Sequence, residues 1–142
     1  MGTPAFVRSI LDWRVTWFVA RLALVSAYLL GGVVKLVDFP AAVAEQAHFG
    51  MHPPLLWAVL TIAVELIGPI LILSGRLVWL GAGMLGVFTG LAALTANAFW
   101  TMQGDARFMA TNAFFEHIGL IGGFILAALI AEHVGRGRAR GA

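Results

Sequence analysis

The chain has 142 residues, of which 61% are hydrophobic and 11% are charged, and its formal net charge is +2. Soluble domains carry about 25% charged residues, so this composition predicts a single-domain membrane protein and argues against nucleic acid as a partner. The sequence contains no cysteine, which excludes disulfides, thiolate metal sites and redox cycles run by the protein's own thiols.

The N-terminal segment, residues 1–16, is predicted to be either a short interfacial helix or a frayed tail. Apolar residues recur at helical spacing in this segment and at the start of the next one, at Phe6, Ile10, Trp13 and Trp17. The first membrane span follows at residues 17–37, with Arg21 near its start and Lys35 near its end. Long cationic side chains at these two positions can extend to opposite membrane interfaces.

Residues 38–54 form the first loop, in which a short surface helix is predicted at 40–49. His48 and His52 are four residues apart, a spacing that would suit a metal ion if the helix continued. Gly50 and the two prolines beyond it argue that the helix stops. No metal site is therefore predicted, and the two histidines are only weak candidates.

The second span, residues 55–75, carries a single charged residue, Glu65, at its midpoint. An ionised carboxylate at the bilayer centre costs roughly 2.5–3.5 kcal/mol on insertion scales. Pro69 follows four residues later, so it removes the hydrogen bond to the Glu65 carbonyl and predicts a kink. In one interpretation Glu65 is protonated and structural, hydrogen-bonded to a neighbour such as Asn97 or Ser26. In the other it handles a proton or orients a ligand.

The third span, residues 77–100, contains a run that fits the dinucleotide-binding glycine pattern, but no strand precedes it, so a dinucleotide site is rejected. Small residues instead recur along one face of the helix, at Gly83, Gly86 and Gly90. This pattern predicts a surface on which a second helix packs closely. Asn97 ends the stripe, where an interhelical hydrogen bond is expected.

The fourth span is predicted at residues 112–133, followed by a basic tail at 134–142. Most lysine and arginine residues then fall on the side of the membrane that holds both termini, which predicts that both termini are cytoplasmic. The predicted fold is an all-α membrane protein, an antiparallel bundle of four transmembrane helices in the inner or plasma membrane.

Counting the helical rise from the ends of the spans gives each polar residue an approximate depth. Lys35, Glu116 and His117 share the outer level, where they can form the rim of a pocket. At the inner level, Arg21 and Glu132 can pair. Glu65 lies roughly 10 Å deeper than Lys35 on this count, so a direct bridge between them would need the kink or a shift in register.

The order of these motifs resembles that of the DoxX family of small four-span membrane proteins. The matching motifs are Arg21 with Gly32-Val-Val-Lys35, then Glu65 with Gly68 and Leu73-Ser-Gly75-Arg76, then Asn112-Ala-Phe-Phe-Glu-His and Gly122-Gly123. The resemblance implies a membrane-embedded oxidoreductase component, because relatives include a quinone-reducing subunit of thiosulfate oxidation and proteins associated with thiol and superoxide defence.

The resulting hypothesis is a quinone-interacting or partner-dependent membrane oxidoreductase subunit. Glu65 would handle the proton and Lys35 would polarise the bound head group, with Glu116, His117 and Asn97 completing the pocket. Without a cysteine or an evident cofactor ligand, a quinone or a redox partner would have to carry the electrons. The alternatives are a non-catalytic accessory or scaffold subunit of a larger membrane complex and a small-molecule or lipid transporter. The expected partner is a redox or membrane-complex protein or a second copy of the chain.

Overall fold

A computed structural model describes the backbone of residues 2–140 and the side chains of residues 2–136. Its elements are α1 (Ala5–Asp12), α2 (Arg14–Val37), α3 (Phe39–His48), α4 (Pro54–Ser74), α5 (Val78–Ala96), a 3-10 turn (Phe99–Thr101) and α6 (Gly104–Arg140). The described residues form no strand, and α2, α4, α5 and α6 are long and apolar enough to cross a membrane. The predicted fold class, an all-α bundle of four transmembrane helices, is therefore confirmed.

The surface helix α3 starts and stops where its sequence supplies the necessary capping groups. The Asp38 carboxylate accepts a hydrogen bond from the backbone N–H of Ala41 at 3.2 Å, which satisfies one free donor of the first turn. Past the end of the helix, Gly50 has a φ of +73°, a conformation that glycine adopts without strain. As a result α3 is short, and it connects the C-terminal end of α2 to the N-terminal end of α4.

Close packing of α4 against α5 depends on two glycines that face each other. A Cβ added to Gly81 would lie 2.6 Å from the backbone oxygen of Gly68, and a Cβ on Gly68 would lie 2.8 Å from the Leu85 side chain. Both positions therefore need glycine for the two backbones to approach. The turn between the helices is equally tight, with left-handed backbone at Gly75 and Leu77.

The stripe predicted from small residues is not the packing face of α5. A Cβ added to Gly83 or Gly86 would meet nothing within 4 Å, and one on Gly90 would meet only Ile121, at 3.9 Å. That prediction was wrong because α5 carries small residues on two faces. Spacing alone cannot tell which of the two faces meets a neighbour.

The last helix is longer than the sequence analysis predicted. Residues 104–111, which lie between the predicted third and fourth spans, form the first turns of α6, and the helix continues through Arg140 into the predicted tail. Asp105 in the first turn favours this start, because a negative charge complements the positive end of a helix. Hydropathy marks only the apolar middle of such a helix and cannot locate its polar ends.

The core is built where the membrane-spanning helices meet, and it centres on Tyr28. The Tyr28 ring packs edge-on against Phe88 and Phe124, with centroid distances of 6.2 and 5.5 Å. Its hydroxyl lies 2.5 Å from that of Thr89, which donates its own hydrogen to the Leu85 carbonyl at 2.6 Å. Tyr28 is therefore the donor to Thr89, and this bond ties α2 to α5 across the bundle.

Candidate functional site

The acid in the middle of α4 forms an ion pair with the lysine at the end of α2. Lys35 Nζ lies 3.2 Å from Glu65 Oε1, and the two side chains are 18% and 7% exposed. A direct bridge therefore forms, which the depth count of roughly 10 Å allowed only with the kink or a shift in register. That count measured the helical rise only, and it ignored both the length of the lysine side chain and the offset between the two helices.

Two adjacent glycines of α2 let α4 come close enough for this pair to form. A Cβ on Gly31 would lie 3.2 Å from Glu65 Oε1, and a Cβ on Gly32 would lie 2.8 Å from the Leu66 side chain. The Glu65 carboxylate is therefore seated directly on the glycine face of α2. Any larger residue at Gly31 would press on the carboxylate itself.

The second oxygen of this carboxylate, Glu65 Oε2, is buried and has no hydrogen-bond partner among the described residues. Neither neighbour considered in the sequence analysis supplies one. Ser26 donates to the carbonyl of Ala23 at 2.8 Å, and Asn97 lies at the C-terminal end of α5. A buried carboxylate oxygen without a donor is costly, and such groups often mark sites that bind a proton or a ligand.

A cavity of about 620 Å³ opens beside the ion pair, between α3, α4 and α5. Its walls are mainly apolar and aromatic, and its two charged groups, Lys35 and Glu45, lie 3.9 Å apart and define its polar end. The lining residues are Lys35, Glu45, Gln46, Phe49, Met51, Trp57, Leu60, Thr61, Val64, Gly83, Met84, Val87, Phe88, Leu91, Ala92, Thr95 and Ala96. Glu65 is not among them, so Lys35 is the group that connects the buried acid to the cavity.

Helix α3 supplies the rest of the polar end. The carboxylate of Glu45 lies 3.9 Å from Lys35 Nζ, and Gln46 is 8% exposed. Sequence analysis assigned neither residue to the site. The predicted surface helix at 40–49 contained both, but its distance from the spans could not be inferred from the sequence.

The rim predicted from span four does not form at this cavity. Glu116 is exposed, and His117 Nδ1 lies 2.6 Å from the Ala113 carbonyl oxygen of its own helix. Neither residue lines the cavity, and Asn97 does not line it either. Equal depth was a poor guide because it says nothing about the direction in which a helix faces.

The other predicted polar contacts are also replaced by local ones. Glu132 pairs with Arg136 at 2.8 Å instead of Arg21, whose guanidinium lies 5.9 Å from the centre of the Trp17 ring. The helix α3 ends at His48, so the two loop histidines do not share a helical face. Among the described residues, no group of three or more His, Asp or Glu side chains could hold a metal ion.

Comparison with known proteins assigns the chain to a family. The family model described as DoxX matches residues 16–98. The chain belongs to the DoxX family. The matched stretch contains α3, α4, α5 and all but the first two residues of α2, and these four helices form the Lys35–Glu65 pair and the cavity.

One curated relative in this family covers most of the chain. It is the inner membrane protein YphA of Escherichia coli (strain K12), 28% identical over 115 residues, which are 81% of this chain and 82% of the relative. No solved structure matches the chain. The family and the four apolar helices confirm the predicted location, as a multi-pass protein of the inner, or plasma, membrane.

Proposed function

We propose that this DoxX-family protein is a membrane oxidoreductase component that binds a quinone in the cavity beside Lys35. One observation carries the proposal, namely an apolar cavity whose polar end is a lysine paired with a buried acid. The volume of about 620 Å³ lies within the range of roughly 300–1,000 Å³ that is usual for small-molecule sites.

The lining fits a flat, apolar molecule with one polar end. The rings of Phe49, Trp57 and Phe88 line the cavity, and Lys35 and Gln46 add hydrogen-bonding groups to its lining. A bound quinone would supply the electron-accepting ring that this cysteine-free chain lacks. Electrons would come from a redox partner in or at the membrane.

In this proposal Lys35 contacts the ligand and Glu65 acts behind it. The Lys35 ammonium would donate a hydrogen bond to a carbonyl oxygen of the quinone and give it a proton as the ring is reduced, so that no net negative charge builds up beside Glu45. Glu65 Oε1 holds that ammonium in place at 3.2 Å. After Lys35 had given up its proton, Glu65 would take up a proton from the surrounding solvent and pass it to Nζ. Glu65 thus keeps its predicted role in proton handling, exercised through Lys35.

The test is to extract the purified protein with solvent, look for quinone absorbance, and measure quinone-linked electron transfer with the native membrane. Glu65→Gln is expected to lower that activity at least about a hundredfold, the lower end of what a positioned acid–base group contributes, while the protein still inserts. Glu132→Gln is the matched control, because Glu132 lies outside the cavity. Full activity of Glu65→Gln would contradict the proposal.

One observation favours a second candidate, a non-catalytic accessory subunit. Glu65 is enclosed between α2 and α4 and does not itself line the cavity. Such a position is expected if the Lys35–Glu65 pair is purely structural. Isolation in mild detergent of a stoichiometric partner protein, together with full quinone-linked activity of the complex carrying Glu65→Gln, would favour this candidate over the first.

A further inference from the structure

We infer that the cavity selects uncharged ligands over anions, and that Glu45 of α3 sets this preference. The inference rests on the proposed function in taking the cavity as the ligand site. It adds the charge class of the ligand and a residue that determines it, neither of which follows from an apolar cavity alone.

The charges at the polar end leave no positive charge for an anion. Lys35 Nζ lies 3.2 Å from the Glu65 carboxylate and 3.9 Å from that of Glu45, so two acids surround one ammonium. With Glu65 ionised, the three groups sum to a single negative charge. With Glu65 protonated, they sum to zero. In neither state does a lysine in the cavity act as a free cation.

Of these two acids, Glu45 is the one that a ligand meets. Its side chain is 45% exposed and lines the cavity, whereas Glu65 lies behind Lys35 and is 7% exposed. Because Glu65 holds the ammonium at the shorter distance, a ligand can replace the longer contact to Glu45 without leaving Lys35 unpaired. Glu45 then remains at the polar end as an uncompensated carboxylate.

This arrangement favours a ligand that can use both groups. A carbonyl oxygen can accept a hydrogen bond from Lys35, and a hydroxyl can donate one to Glu45. An anionic group would lie close to the Glu45 carboxylate, and at such short range two like charges repel each other even where water partly screens them. The structure therefore assigns the cavity to neutral molecules with an apolar body and a carbonyl or hydroxyl head.

Two matched pairs of probes test this inference. The first pair is menadione and a naphthoquinone sulfonate, and the second is naphthol and naphthalenesulfonate, which are not quinones. Binding to the full chain is measured in phosphatidylcholine nanodiscs, which carry no net charge, by quenching of tryptophan fluorescence. Empty nanodiscs correct for partition into lipid, and the Trp57→Phe variant identifies the signal that comes from the cavity.

The wild-type protein is expected to bind each neutral probe about 10- to 100-fold more tightly than its sulfonate, the range that unit charges a few ångströms apart produce. Glu45→Gln should tighten binding of both sulfonates about tenfold and change that of the neutral probes by less than about threefold. Glu116→Gln, an exposed acid outside the cavity, should change neither.

Equal affinity for the neutral and anionic probes, the same response in Glu45→Gln and Glu116→Gln, or no binding of any probe would each overturn the inference. The quinone proposal fails separately. If naphthol binds with the expected selectivity and menadione does not bind, the charge preference stands and the quinone is excluded. If both quinones bind with equal affinity, the quinone proposal survives and the charge preference falls.

Discussion

The Lys35–Glu65 pair gives the sharpest test of the structure, because removing one partner leaves the other buried. At 3.2 Å and an effective dielectric constant of about 20, two unit charges attract by about 5 kcal/mol. Lys35→Met is therefore expected to lower the free energy of unfolding by about 3–5 kcal/mol, since Glu65 keeps its place in the membrane core without a counter-charge.

Replacing both partners distinguishes the energetic cost of a buried lone charge from the cost of losing the two side chains. The double variant Lys35→Met with Glu65→Leu should recover most of the lost stability, to within about 1–2 kcal/mol of wild type, because no lone charge then remains buried. The control is Glu132→Gln. It removes a pair whose side chains are 72% and 57% exposed, and it should cost less than about 1 kcal/mol.

Stability can be measured by unfolding each variant with SDS in mixed micelles and following helicity by circular dichroism. The reasoning would be refuted if Lys35→Met were no less stable than the Glu132→Gln control. It would also be refuted if the double variant were as unstable as the single lysine variant, because the two side chains would then not be coupled.

The helix packing and the topology give three further predictions. Gly81→Ala should destabilise the protein by about 1–3 kcal/mol in the same unfolding assay, whereas Gly86→Ala, with open space around it, should be neutral or slightly stabilising. Tyr28→Phe should cost about 0.5–1.5 kcal/mol, because it removes one buried hydrogen bond. Because the chain has no cysteine, single cysteines can report topology. One replacing Thr3 should react with a membrane-impermeant maleimide only after the cell is opened, and one replacing Gln103 should react from outside.

Hydropathy was sufficient to predict the four spans, because a stretch of about 20 apolar residues with almost no charge is rare outside membrane helices. The capped surface helix α3 was also predictable, since Asp38 and Gly50 mark its ends in the sequence. The spans and the ends of α3 depend only on residues that are close together in the sequence, so they can be predicted without the tertiary structure.

The contacts between helices could not be predicted in the same way. Gly81, not Gly83 or Gly86, meets α4, and Glu45, not Glu116, completes the polar end of the cavity. Gly83, Gly86 and Glu116 are of the same residue types as the residues that make these contacts, and they lie at plausible depths. What decides between them is the rotation of each helix about its axis, which depends on the packing of all four helices together.

The length of α6 limits how this protein can sit in a bilayer. Its 37 residues extend about 55 Å, and even a tilt of 40° leaves about 42 Å along the membrane normal. The hydrocarbon layer is about 30 Å thick, so at least two turns of continuous helix stand among the headgroups or in water. The helix therefore offers a folded segment at the membrane surface to lipid headgroups or to another protein.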